Sequence, residues 1–204
     1  SGFHPRVTTL AIDDVFERYV LDQDPHDIER LFRQTYSSGF TKRPDLTMMG
    51  ITSGLEMACW DIIGKAAGRP VHALLGGRVH ARLRSYTYLY PVNAAGEHDY
   101  DDPDLAAECA LACVKQGFTA VKFDPAGPYT AWSGHHLSLQ VMERAELFCR
   151  RIREAVGDRC DLLFGTHGQM TPASAIRLAA RLEKYDPLWF EEPIPPGQDA
   201  AMGQ

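Results

Sequence analysis

CDLLFGTHGQMTP, residues 160–172, is a short apolar run that ends in Gly165-Thr166-His167-Gly168 and soon passes into Thr171-Pro172. Threonine followed by proline is a helix start, because the threonine oxygen caps free N–H groups and proline's fixed φ suits the first helical position. The stretch predicts strand, turn, helix, with the His167 imidazole at the strand's carboxyl end. Taken alone, a histidine before a glycine is more often a turn residue than a catalyst.

Working outward, the same unit recurs. A strand over residues 83–90 leads to a helix that starts at Asp102-Pro103 and ends near Gly117. A strand over 119–123 passes through a polar loop with Pro125, Gly127 and Pro128 into a helix over 138–156, stopped by Gly157. After the strand over 161–164, its helix runs to about Tyr185; a fourth strand over 188–190 ends in Glu191-Glu192-Pro193, with no helix expected after it. Strands alternating with helices signal a parallel sheet. Three successive strand ends carry polar groups: Lys122 and Asp124, then His167, then Glu191 and Glu192. That favours a (β/α) barrel over an open sheet, because in a barrel every strand's carboxyl end opens onto one shared site.

Before the strands, residues 13–36 have helical spacing with a break at Asp24-Pro25-His26. A nearly all-apolar helix from Ile51 to about Ala66, closed by Gly68 and Pro70, is expected to be deeply packed. The fold class expected is thus α/β: the first four βα units of a TIM-type barrel (78–204), preceded by part of an α+β capping domain, mainly helical here (1–77).

Composition bounds the partners. With 21 basic and 27 acidic residues the net charge is −6, and no basic block exists to attract a phosphate backbone, so no nucleic-acid partner is expected. No apolar run approaches the roughly 18 residues of a membrane span. Five cysteines without a CxxC read as reduced residues of a cytoplasmic protein. The chain begins Ser-Gly-Phe-His-Pro, without Met, and is expected to be part of a longer protein.

SGLEMACWDIIGKAAGRPVHALLGG, residues 53–77, resembles a signature of the mandelate racemase-like members of the enolase superfamily, and AVKFDP (120–125), FGTHGQ (164–169) and WFEEP (189–193) stand in that family's order of strand-end motifs. The resemblance covers residues 10–204. It implies a Mg²⁺ ion held by carboxylates at strand ends, stabilising the enediolate formed when a base removes the proton α to a carboxylate. By the same resemblance Glu191 is the metal ligand on the fourth strand, Lys122 the first Lys of a Lys-x-Lys pair, and His167 the third residue of Asp-x-Asn or Asp-x-His. Two positions depart from the pattern. Gly165 stands where the first metal-binding Asp is expected, so the metal is held weakly, moved to a group such as His167 or Asp161, or lost. Asp124 stands where racemases carry their second Lys.

The resemblance implies a lyase: a sugar acid dehydratase, with a small-molecule sugar acid as substrate, catalytic residues His167, Lys122 and Asp124, and a homo-oligomeric full-length protein. His167 is the expected general acid on the leaving hydroxide. A racemase or cycloisomerase of the same superfamily, or a non-catalytic truncated relative, is the alternative. Each residue also has a simpler role open to it: Lys122 as a snorkelling surface cation, Asp124 as a cap on the Pro125 turn, Glu191 or Glu192 as a helix cap. Trp60 and Asp61 read as packing and helix-docking residues, His135-His136 as solvated or substrate-facing, and Phe40, Met48 and Met49 as core residues or a lid.

Overall fold

The structure is a computed structural model that describes residues 4–37, 46–127 and 136–203. Phe40 and His135 lie outside the described residues. The chain divides into two compact units, 1–82 and 83–204.

Among its described residues the regular elements of the first unit are all helices: α1 (Pro5–Tyr19), α2 (Ile28–Tyr36), α3 (Leu46–Ala66) and the single turn α4 (Val71–Leu74). The break between α1 and α2 falls at the Asp24-Pro25-His26 expected from sequence, where Asp24 accepts the His26 backbone N–H at 2.9 Å. Deep burial of the apolar helix is not observed. Ile51, Thr52, Cys59 and Gly64 of α3 are buried, whereas Leu46, Met57 and Ile62 are exposed. Within the unit α1, α2 and the single turn α4 shield only part of this 21-residue helix. Trp60 donates to Glu56 Oε1 at 3.3 Å, and Asp61 pairs with Lys65 at 2.5 Å rather than docking another element.

The second unit has the order β1 (Thr87–Tyr88), α5 (Pro103–Lys115), β2 (Ala120–Phe123), α6 (Leu139–Val156), β3 (Asp161–Gly165), α7 (Pro172–Leu182), β4 (Pro187–Glu191) and α8 (Asp199–Met202). The strands form one sheet in the order β1-β2-β3-β4, and every neighbouring pair is parallel. This α/β architecture, a helical capping region before a parallel sheet of βα units, is consistent with part of a (β/α) barrel. The caps act as the sequence requires: Asp102 accepts from the N–H groups of Asp104 and Leu105, Ser138 from Val141, and Thr171 from Ser174. Two expectations are corrected. The first strand is only Thr87–Tyr88, paired with Val121 and Lys122 and followed by the bond from the Leu89 N–H to the Lys122 carbonyl at 2.8 Å, rather than the whole of 83–90. A one-turn helix does follow the fourth strand, from Asp199 to Met202.

Strand alternation gives the sheet two faces. Val121, Phe123, Leu162, Phe164 and Phe190 face the helices and pack on Met142, Ala145, Cys149 and Ile152 of α6 and Leu178 and Leu182 of α7. Phe123, Phe164 and Phe190 make an edge-to-face ladder with centroids 5.5 and 6.1 Å apart. At the amino ends of the strands, the Arg153 guanidinium donates to the carbonyls of Gly157, Cys160, Tyr185 and Asp186 at 2.8–3.2 Å, tying α6 to the turns before β3 and β4. The other face carries Lys122, Gly165 and Glu191.

Candidate active site

The carboxyl ends of β2, β3 and β4 bring together most of the residues singled out from sequence. Pairing of β3 with β4 continues past their ends: the N–H groups of Thr166, Gly168 and Met170 donate to the carbonyls of Glu191, Glu192 and Pro193 at 3.2, 2.6 and 3.1 Å. The buried Thr166 hydroxyl adds a bond to the Glu191 carbonyl at 2.7 Å. The turn at His167 is therefore built into the sheet's rim. His167 has φ 57° and Glu192 φ 43°, left-handed conformations that cost a residue with a side chain free energy and that cluster at functional sites. His167 is exposed at this rim.

Lys122 crosses from β2 to β4. Its side chain is 12% exposed, that of Glu191 is 31% exposed, and Nζ lies 2.5 Å from Glu191 Oε1. Lys122 is therefore not a snorkelling surface cation, and Glu191 points onto this face. Tyr86 stands over the ammonium at 6.0 Å and packs edge-to-face on Trp189. The Trp189 indole N–H is buried with no hydrogen-bond partner among the described residues. Sequence reasoning passed over Tyr86 and Thr166; the alternation Tyr86, Tyr88, Tyr90 at the first strand was the one available signal for Tyr86.

Asp124 does cap its turn, accepting the Ala126 N–H at 3.0 Å. It does more than that. Burial pushes its carboxyl up to about 6, against the opposing pull of the Ala126 and Gly127 N–H groups and the charges of His167 and Arg144. Asp124 and His167 are thus electrostatic neighbours. Tyr88 is pushed up to about 12, first by burial and then by the nearby Asp124 charge. His136 has its Nδ1 3.4 Å from Ser174 Oγ in the first turn of α7.

The donors among the described residues do not by themselves fit a Mg²⁺ ion. A hard divalent cation wants several oxygen ligands, and its usual pairing is with carboxylates. Here Glu191 already carries an ammonium, Gly165 offers no side chain, and among the described residues no three His, Cys, Asp or Glu side chains converge. Asp161, one alternative ligand considered from sequence, sits at the opposite end of β3 and pairs with Arg84 at 2.5 Å.

A parallel βα sheet with its polar residues gathered at the carboxyl strand ends is the arrangement of barrel enzymes. Comparison with known proteins is specific. Residues 2–76 match the mandelate racemase/muconate lactonizing enzyme N-terminal domain, and residues 104–204 match the enolase C-terminal domain-like family. The chain belongs to the enolase superfamily, in its mandelate racemase/muconate lactonizing enzyme-like branch, close to sugar acid dehydratases. It is 33% identical over 177 residues to the D-gluconate dehydratase of Thermoproteus tenax, covering 87% of this chain and 34% of that protein. It is 32% identical over 187 residues to the D-gluconate/D-galactonate dehydratase of Picrophilus torridus, covering 91% and 45%. A solved structure from Burkholderia SAR-1, provisionally assigned to the mandelate racemase/muconate lactonizing enzymes, superposes with TM-score 0.94 and 76% identity over 99% of this chain and 50% of that one. The chain thus spans a third to a half of the length of these relatives. No helix among the described residues is long and apolar enough to cross a membrane.

Proposed function

We propose that the full-length protein is a hydro-lyase that removes water from a sugar acid to give a 2-keto-3-deoxy acid. The observation that carries this reading is the placement of His167 in a left-handed turn beside Asp124, with the part-buried Lys122 ammonium on the same rim. The dehydratases of gluconate, galactonate and xylonate among the relatives support it.

In this reading the substrate carboxylate lies toward Lys122. The α-proton passes to a base outside the four strand ends described, and the negative charge that develops on the carboxylate is met by the fixed ammonium, a charge aimed in advance at the place where it is needed. His167, protonated, donates its proton to the hydroxyl leaving C3, so that water rather than hydroxide departs. The Asp124 carboxylate gives the protonated imidazole a partner and the capped turn keeps that partner in place. The resulting enol then takes a proton at C3, releases the proton of its C2 hydroxyl to solvent and becomes the keto acid. The Mg²⁺-stabilised version of this chemistry, which attaches to the family as a whole, supplies no step here because the donor set described above does not fit the ion.

Replacing His167 with Asn keeps a polar side chain suited to a left-handed turn while removing the acid. Turnover for dehydration of a sugar acid panel, followed as 2-keto-3-deoxy acid, should fall at least about a hundredfold. Wild-type turnover in that variant would make His167 a turn residue and remove the basis of the reading.

A further inference from the structure

We infer that the cation held by Glu191 is the Lys122 ammonium rather than a divalent metal, and that Gly165 is the residue that makes this exchange possible. The inference rests on reading these strand ends as the active site, but not on which reaction occurs there.

The geometry leaves little freedom. Lys122 is on β2 and Glu191 on β4, with β3 between them, and adjacent strands lie about 4.8 Å apart. To reach Glu191 the lysine must pass directly over β3, and the position it passes over is Gly165, the register partner of Glu191. A Cβ placed on Gly165 would meet Lys122 Cε at 2.5 Å, Nζ at 3.4 Å and Cδ at 3.7 Å. The first distance is closer than real Cβ atoms come, so a side chain there requires the flexible end of the lysine to shift from this path.

Nor is glycine needed here for the backbone. Gly165 is an ordinary strand residue and is not among the glycines with positive φ. Glycine inside a strand weakens it, and a common reason for keeping one is the close approach of another group. The approaching group is the stem of Lys122, and the resulting ion pair is mostly shielded from water. A divalent cation brought to Glu191 would have to displace that ammonium or sit against its like charge, without the second carboxylate that an aspartate at 165 would bring. The ammonium has three N–H donors and one serves Glu191, so up to two can donate to an anionic substrate group.

Two measurements on the full-length protein test this without using turnover. In the first, Mg²⁺ is titrated calorimetrically into wild type, into Lys122→Met and into the double variant Gly165→Asp/Lys122→Met. Wild type is expected to show no saturable binding below about 1 mM, the weak end of the range for oxygen-ligand sites. The double variant, with its ammonium removed and a carboxylate added, is expected to bind at least tenfold more tightly than wild type. Micromolar binding by wild type that Glu191→Gln abolishes would overturn the inference. In the second, reductive methylation read by mass spectrometry compares Lys122 in wild type and Gly165→Ala, with circular dichroism as the check on folding. Protection in wild type and at least fivefold greater labelling in the folded variant are expected; equal labelling in two folded proteins would overturn the role given to Gly165. Should Gly165→Ala not fold, the wild-type titration decides alone. A protein that passes these tests yet dehydrates no sugar acid would refute the proposed reaction and leave the ion pair standing.

Discussion

Replacing Asp124 with Asn should stabilise the protein at pH 7 and leave it unchanged at pH 4. Burial holds the Asp124 carboxyl up at about 6, against an ordinary value of 3.8. That difference corresponds to about 3 kcal/mol between the protonated and ionised forms. The folded chain binds this proton more tightly than the unfolded chain, so the group's contribution to stability is complete below about pH 4 and is lost as pH rises to about 6. At pH 7 the fold carries an ionised, part-buried carboxylate at a cost that asparagine avoids. Asparagine keeps the oxygen that accepts the Ala126 N–H, so the turn survives. Allowing for the part of the side chain that solvent reaches, the expected gain is about 1–3 kcal/mol at pH 7, shrinking to about zero at pH 4. Urea unfolding followed by circular dichroism at pH 4, 5, 6 and 7 measures it. With a slope near 2 kcal/mol per molar, the midpoint at pH 7 should rise by roughly 0.5–1.5 M. A gain that is the same at pH 4 and pH 7, or a loss at pH 7, would refute the reasoning. Turnover should fall in the same variant, since the carboxylate beside His167 is gone.

Two further outcomes follow from packing and hydrogen bonding. Phe164→Ala, which empties the centre of the Phe123-Phe164-Phe190 ladder, should cost about 3–5 kcal/mol in urea unfolding. Arg153→Met keeps most of the side-chain volume but leaves the carbonyls of Gly157, Cys160, Tyr185 and Asp186 without their shared donor. It should cost about 2–4 kcal/mol in the same assay, and a change under 0.5 kcal/mol would show that water replaces the guanidinium freely.

What the sequence shows of this fold, it shows through local chemistry. Asp102-Pro103, Ser138 and Thr171-Pro172 announce their helices because a cap acts within three residues of itself. The order of strand ends was equally legible, since each polar motif directly follows its apolar run. The shortness of the first strand was not, because strand pairing depends on where a neighbouring strand lies and not on chemistry within a few residues. Nor was the exposure of Leu46, Met57 and Ile62, since a helix apolar on all sides does not say which side a neighbour covers. In the site, the sequence marks Gly165 as a missing carboxylate. Only the fold shows it as the gap through which Lys122 reaches a residue 69 positions away. The raised carboxyl of Asp124 was likewise invisible, because burial is a property of the packed chain.

The central claim, dehydration of a sugar acid at these strand ends, is tested most directly by the position of deuterium in the product. The full-length protein is incubated with gluconate, galactonate and xylonate in D₂O, and the mixture is followed by ¹H NMR. If the α-proton is removed, water leaves from C3 and the enol takes up a solvent deuteron, a 2-keto-3-deoxy acid should accumulate with one deuterium at C3. Recovery of the sugar acid with deuterium at C2, inverted at that carbon and without any keto acid, would contradict the account and show a racemase instead.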